Sequence, residues 1–197
     1  MTFQFQLVAG HPALDFANTL DYRFDPERTI ELMSSYERLV DFTRQSALIT
    51  EPQARRLKLL KDERGAAIAL NHAIQLREVI EALFRAILDR KAPDEMCLEE
   101  FNRFLTRARE HEKIYWKSGK VIRGYDEFAR SFELPIWLLT ESAMALLMSP
   151  QVTEVRECHE RSCRWLFLDH SRNHSRRWCA MEICGNRAKV RRFRKQR

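Results

Sequence analysis

The sequence predicts a mainly helical α+β fold: a helical N-terminal domain with small β-hairpins over residues 1–150, followed by a compact finger over residues 151–197. Three observations lead there. The 197 residues hold only 5 Gly and 6 Pro, too little punctuation for the many tight turns of a sandwich or barrel. Leu76, Val79, Ile80, Leu83, Phe84, Ile87 and Leu88 recur at helical spacing, forming one apolar stripe. Four of the five cysteines fall between positions 158 and 184, so the last quarter of the chain is organised differently from the rest.

The elements follow in order. Phe3, Phe5 and Leu7 alternate with Gln4 and Gln6, and Gly10-His11-Pro12 marks a turn before Leu14-Asp15-Phe16, which reads as a short hairpin or two edge strands. Ser34 with Glu37 three residues on forms a capping box for a helix through Leu39, Val40 and Phe42, and Thr50, Pro52 and Gln53 open the next one,. The long stripe spans a helix from Gly65 to Asp89. Pro93-Asp94 restarts a helix through Leu98, Phe101, Phe104, Leu105 and Ala108. Ile114-Tyr-Trp116, the turn Lys117 to Lys120, and Val121-Ile122 read as a hairpin,. Glu133 to Met148 is an apolar helix with Pro135 in its first turn, ended by Ser149-Pro150,; Met144 and Met148 belong to its core-forming set.

Apolar residues make up 45% and charged residues 31% of the chain, which argues against wholesale disorder. The longest apolar stretch, Pro135 to Met148, is interrupted by Thr140, Glu141 and Ser142 and is too short to span a bilayer. The N-terminal residues have neither a basic region nor an apolar run of signal-peptide type,, so the expectation is a cytoplasmic protein with no membrane partner. The net charge of +6 is unevenly spread: residues 151–197 carry 13 Lys and Arg against 5 Asp and Glu, the remainder 21 against 23. Seven cations and no acid lie in the last eleven residues, a density that suits a polyanionic partner and equally a solvated tail that aids solubility.

Cys158, Cys163, Cys179 and Cys184 form a C-x4-C pair, a fifteen-residue spacer and a second C-x4-C pair. In a reducing compartment two short-spaced thiolate pairs suit one tetrahedral Zn²⁺ better than two disulfides or four unlinked thiols. Four thiolates close the coordination shell, so the ion is structural. Between the pairs, Arg164 to Asp169 reads as a strand, Ser171 to His174 as a turn and Ser175 to Trp178 as the returning strand, with a basic helix after Cys184,. Knuckle, hairpin and helix in that order describe a treble-clef finger. His159, His170 and His174 lie nearby but suit surface or phosphate-contacting positions, and Cys97, remote from the others, reads as an inert thiol,.

At this point the residues resemble a known family. Cys158, Cys163, Trp165-Leu-Phe-Leu-Asp-His-Ser171, Arg176-Arg-Trp-Cys179 and Cys184-Gly-Asn-Arg187 resemble the bacterial CGNR zinc finger, named for the last tetrapeptide. Gly10-His-Pro-Ala-Leu-Asp-Phe-Ala-Asn-Thr19 resembles the ABATE domain that precedes such fingers. The resemblance implies a stress-response transcriptional regulator with a treble-clef DNA-binding finger, the four cysteines as zinc ligands, and Arg187 with the following basic residues as the nucleic-acid surface. The candidate contacts are Arg176, Arg177, Arg187, Lys189, Arg191, Arg192, Arg194 and Lys195; several recur at helical spacing, as a helix tracking phosphates requires. Gly185 permits a conformation that a β-carbon forbids, Asn186 can bond backbone near the metal turn, and Phe193 is expected to pack the helix onto the finger.

Other classes of function compete with this one. Asp169, His170, Asn173 and His174 invite comparison with HNH-type nucleases, but the segment after Cys184 contains no His, Asp or Glu to complete a catalytic metal site, so no enzymatic activity is expected. An RNA-binding or protein-interaction module is the other alternative. For the N-terminal domain the expectation is a sensory or dimerising role, because one finger reads few base pairs. There His11, Asp15, Asn18 and Thr19 either line a small-molecule pocket or simply cap turns,.

Overall fold

The computed structural model describes residues 3–125 and 131–195, and in it the helices begin at side chains that satisfy their first free amides. His11 caps α1 (Pro12–Ala17), its Nδ1 accepting from the Ala13 amide at 3.3 Å with Pro12 preset at the first helical position,. Ser35 caps α2 (Tyr36–Gln45), and Thr50 and Gln53 form a complete capping box at the start of α3 (Glu51–Lys58). Asp62 and Asp94 cap α4 (Glu63–Leu88) and α5 (Glu95–Glu110). The last long helix of the N-terminal part, α6, spans Leu134–Leu147.

Helix α4 organises the core. Its buried Ala69, Ala73, Leu76, Ile80, Leu83 and Phe84 follow the spacing of one helix face, and that face meets α1, α2, α5 and α6. Arg77 on α4 is 2% exposed and is matched by Glu31 at 2.6 Å and Glu78 at 2.9 Å, which keeps a buried cation from standing alone. Glu31 belongs to a two-residue antiparallel pair, β1 (Leu20–Asp21) with β2 (Ile30–Glu31). The hairpin expected near Trp116 is present as β3 (Lys113–Lys117) and β4 (Lys120–Gly124), with Trp116 opposite Val121 and Ile114 opposite Arg123.

Three local expectations need correction. Leu14-Asp15-Phe16 is helical, not a strand, because the His11 cap and Pro12 start a helix that buries Ala13 through Ala17. The alternating Phe3 to Leu7 segment joins no ladder; Gln45 grips it instead, donating to the Phe3 carbonyl and accepting from the Phe5 amide. The capping serine of α2 is Ser35, one residue later than Ser34.

The C-terminal segment comprises β5 (Val155–Glu157), β6 (Leu166–Leu168), a single π-helical turn over Met181–Gly185 and α7 (Asn186–Lys195). Strand β6 pairs antiparallel with β5, Val155 opposite Leu168. The return strand expected over Ser175 to Trp178 does not form. Asp169 is fully buried and folds that stretch into a loop, its carboxylate accepting from the Ser171 amide and hydroxyl and from the Arg176 amide. Strand β6 finds its other partner in the N-terminal part: the Leu168 amide donates to the Ala9 carbonyl at 2.8 Å, and Asn18 exchanges two 2.9 Å bonds with the Leu166 amide and carbonyl. The buried apolar residues accordingly form one cluster that runs from Ala9 to Cys184 across position 150.

Asn18 acts as a one-residue strand. Replacing it with Ala strands a buried N–H and a buried C=O on Leu166, so Asn18→Ala is expected to lower stability by about 2–4 kcal/mol, measured by urea unfolding with zinc present; a loss under about 0.5 kcal/mol would show that water replaces both bonds.

Candidate metal centre and nucleic-acid interface

The knuckle that carries the first two cysteines is built by backbone bonds. The Cys158 amide donates to the Trp165 carbonyl, the Cys163 and Arg164 amides both donate to the Glu160 carbonyl, and Arg164 takes a left-handed φ of 56° to turn the chain into β6. Cys179 lies at the end of the Asp169 loop and Cys184 within the π turn, where its amide donates to the Ala180 carbonyl. The His159 amide joins the two halves through the Arg177 carbonyl at 2.9 Å.

All four sulfurs are buried and lie within 4.8 Å of one another, with Cys163 to Cys179 and Cys179 to Cys184 both at 3.6 Å. Thiolates about 2.3 Å from a tetrahedral zinc stand about 3.8 Å apart, whereas a disulfide needs about 2.05 Å. The electrostatics agree. Hydrogen bonds from Cys163, Cys179 and Cys184 pull the Cys158 thiol far below its usual range, while bonding to Cys158 drives Cys163 and Cys179 upward. Cys184 is lowered as well, so two of the four thiols are held below the usual range and two above it, and a cation among them would favour the thiolate form of all four. The donor set fits a single structural Zn²⁺, and among the described residues it is the one cluster of this kind. His159, His170 and His174 stand outside it: His159 accepts from Arg177, His170 lies 3.7 Å from Glu154 and His174 bonds the Asp169 carbonyl.

The middle two residues of the Cys184–Arg187 tetrapeptide close the site. The Asn186 side-chain amide donates to the Glu182 carbonyl at 2.9 Å. Gly185 takes no left-handed backbone angle; a Cβ there would meet the sulfur of the exposed, flexible Met181 side chain and the Trp178 ring at 3.2 Å, so both would have to give way.

The structure gives the eight candidate nucleic-acid residues different environments. Arg176 is half-buried; its guanidinium donates to the carbonyls of Val8, Leu168, Trp178 and Cys179 and lies over the Phe167 ring. Arg191 grips Glu160 with two bonds of 2.7 and 2.9 Å; that carboxylate is 1% exposed, so this pair fixes α7 against the knuckle. Arg177 and Arg187 are exposed, the first beside His159 and Trp178, the second 6.0 Å from the Tyr22 ring centre. Lys189, Arg192 and Arg194 are exposed and make no ion pair among the described residues. The Lys195 side chain and the basic Arg197 lie outside the described residues. Phe193, expected to pack the helix onto the finger, is 58% exposed. Sequence reasoning gave Glu160 no role, and it read Asp169 only as a candidate metal-site acid, not as the buried acceptor that shapes the loop before Cys179.

His11, Asp15 and Asn18 are neighbours, and their polar atoms turn to backbone. His11 caps α1, Asp15 Oδ1 accepts from the Ala9 amide at 2.9 Å, and Asn18 holds β6. Burial lowers the His11 imidazole below its ordinary range, consistent with a neutral ring accepting the cap bond. Burial raises the Asp15 carboxyl to about 7 against the opposing pull of the Ala9 and Val8 amides.

These features define a mainly helical protein carrying a C-terminal four-cysteine zinc finger with a basic terminal helix. A model of the CGNR zinc finger matches residues 154–197, and a model of the ABATE family, described as "Putative stress-induced transcription regulator", matches residues 10–150. The chain belongs to the ABATE family and carries a CGNR finger. Both are regulatory or zinc-finger families, not enzyme families. No curated protein matches the sequence. No helix among the described residues is long and apolar enough to cross a membrane.

Two expectations follow. Zinc binding in small modules contributes about 10–16 kcal/mol to folding, and β6 lies in the shared core, so chelation should lower the melting temperature of the whole chain by more than about 10 °C. Far-UV circular dichroism recorded alongside dye-detected zinc release checks this; helices that melt unchanged without zinc would refute it. For Asp15, the folded chain holds a proton that the unfolded chain has lost between pH 3.8 and about 7, so its contribution falls as pH rises through that window, by at most about 4 kcal/mol. Asp15→Asn keeps the acceptor for the Ala9 amide without the charge. Its stability relative to wild type should climb from pH 5.5 to 8 in urea titrations, and a pH-independent difference would contradict the assignment.

Proposed function

We propose that this protein is a DNA-binding transcriptional regulator in which residues 151–197 form the contacting unit and residues 1–150 the body that carries it. The observation that supports this most is the division of cations on and beside α7. Arg176 and Arg191 are spent on internal carbonyls and on Glu160, whereas Arg187, Lys189, Arg192 and Arg194 face solvent, and no acid follows Glu182 in the sequence. A helix anchored at a metal cluster and bearing unneutralised cations suits phosphate contact along a groove, with arginine able to reach a guanine edge. Arg177, on the loop before Cys179, and Lys195 extend the same charged set.

The test is binding of the zinc-loaded protein to labelled duplex fragments, including its own promoter region, across a salt series with duplex RNA as competitor. Four or five phosphate contacts give a slope of log affinity against log salt of about −4. Arg192→Ala with Arg194→Ala should weaken binding at least tenfold near 0.15 M salt, flatten the slope by about 2 and leave one zinc per chain. Equal competition by duplex RNA would move the reading to RNA, and a double variant that binds like wild type would place the contact surface off α7.

A further inference from the structure

We infer that α7 enters a DNA major groove with Val190 and Phe193 foremost, and that these two side chains read thymine through its 5-methyl group. This rests on the DNA-binding reading above and names the residues that give the contact its base preference. At about 100° per residue, Asn186, Val190 and Phe193 share one face of α7 within an arc of about 60°. Val190 and Phe193 are 52% and 58% exposed. Val190 also lines two shallow hollows on the helix surface, one with Asn186 and Arg194, the other with Lys189 and Phe193.

The opposite side of the helix is committed to the finger: Arg191 holds Glu160 with two bonds, and Ala188 is half-buried. Around the helix from there, Arg187 and Arg194 lie along one border of the apolar line, and Lys189, with Arg192 behind it, along the other; all four are exposed. The cations therefore flank the apolar line on both sides. Asn186 turns its side-chain amide back to the Glu182 carbonyl. Glu182, on the turn before the helix, is the last acid in the chain, so the contact runs from Asn186 onward.

An apolar line between two cationic borders matches the section of a DNA major groove. A helix with its side chains is about 10–12 Å across and the groove about 12 Å wide, so a helix lying in it sets one face on the floor and its two borders against the phosphates of the two strands. The floor carries the thymine methyl group, which takes apolar side chains, phenylalanine among them. Double-stranded RNA offers no equivalent, because its major groove is too deep and narrow for side chains to read. A lipid surface calls for a broad apolar face, whereas this one holds two apolar side chains in the ten residues of α7.

The experiment uses full-length, zinc-loaded protein and the duplex that it binds best, with the thymines replaced one at a time by deoxyuridine, which removes the methyl group and nothing else. At one or two positions wild type should lose about fourfold in affinity, the worth of one buried methyl group, with the salt slope unchanged because no phosphate contact is lost. Val190→Ala, which keeps α7 helical, should bind about fivefold more weakly and no longer distinguish thymine from uracil at one of those positions; Phe193→Ala should do the same at another. Circular dichroism and zinc content verify that the variants fold, and the deoxyuridine series needs no variant at all. Unchanged affinity across that series, or a preferred duplex without thymine, with binding still lost in the Arg192/Arg194 variant, would overturn the thymine contact while leaving the function standing. Methyl sensitivity undiminished in both variants would place the base-reading residues elsewhere. Absence of DNA binding by wild type would sink both. Binding to phosphatidylserine vesicles that Phe193→Ala abolishes, without any thymine dependence on DNA, would reassign the apolar line to lipid.

Discussion

Four buried sulfurs within 4.8 Å of one another can all be thiolates only when a cation sits among them, since like charges at that separation repel. Much of the rest hangs on that requirement. Cys158 and Cys163 close the turn between β5 and β6; β6 supplies Leu166, Phe167 and Leu168 to the core, each at most 1% exposed; and that core continues into α1. Cys184 fixes the turn from which α7 emerges, and Glu160, inside the same knuckle, takes the Arg191 fork that sets the direction of the helix. The metal therefore stabilises a finger and also determines where a row of cations stands relative to a helical body.

The basic C-terminal segment looks uniform in sequence and is not uniform in structure. A guanidinium presents five donors in a planar fork, which suits it to two tasks that a sequence does not separate: gathering several buried carbonyls, as Arg176 does, and standing in solvent ready for phosphate, as Arg192 and Arg194 do. The difference arises from tertiary partners. Arg176 lies between the Asp169 loop and the Val8 carbonyl, residues far apart in the chain. Net charge thus overstates the surface available to a polyanion.

Much of the fold was legible because local chemistry decided it. The Thr50 and Gln53 box, the Asp94 start of α5, the stripe of α4 and the hairpin at Trp116 all depend on residues within a few positions of one another. The cysteine spacing was equally readable, because tetrahedral thiolate coordination leaves few alternatives for two short-spaced pairs. What was not legible depends on distant partners. Leu14-Asp15-Phe16 is short enough to read as a strand, and only burial on every side makes a six-residue helix persist there. The segment before Cys179 has the composition of a strand, yet β6 was already paired with β5 on one edge and bonded by Ala9 and Asn18 beyond it, so a return strand had no free edge to join.

That occupied edge explains why the polar residues near the N-terminus lie where they do. Asp15 holds the Ala9 amide, the Leu168 amide holds the Ala9 carbonyl, and Arg176 holds the Val8 carbonyl. Two consecutive residues are thereby clamped from the helical body on one side and from the finger on the other. Asn18 repeats the pattern one helical turn later, bonding both backbone groups of Leu166. Each of these bonds is buried or partly buried, so opening the seam exposes donors and acceptors together with the apolar surface around them. A finger on a flexible linker would leave the orientation of its basic helix to chance; a finger whose central strand is hydrogen-bonded into the body presents that helix in one direction, and a change in the packing of α1 bears directly on it.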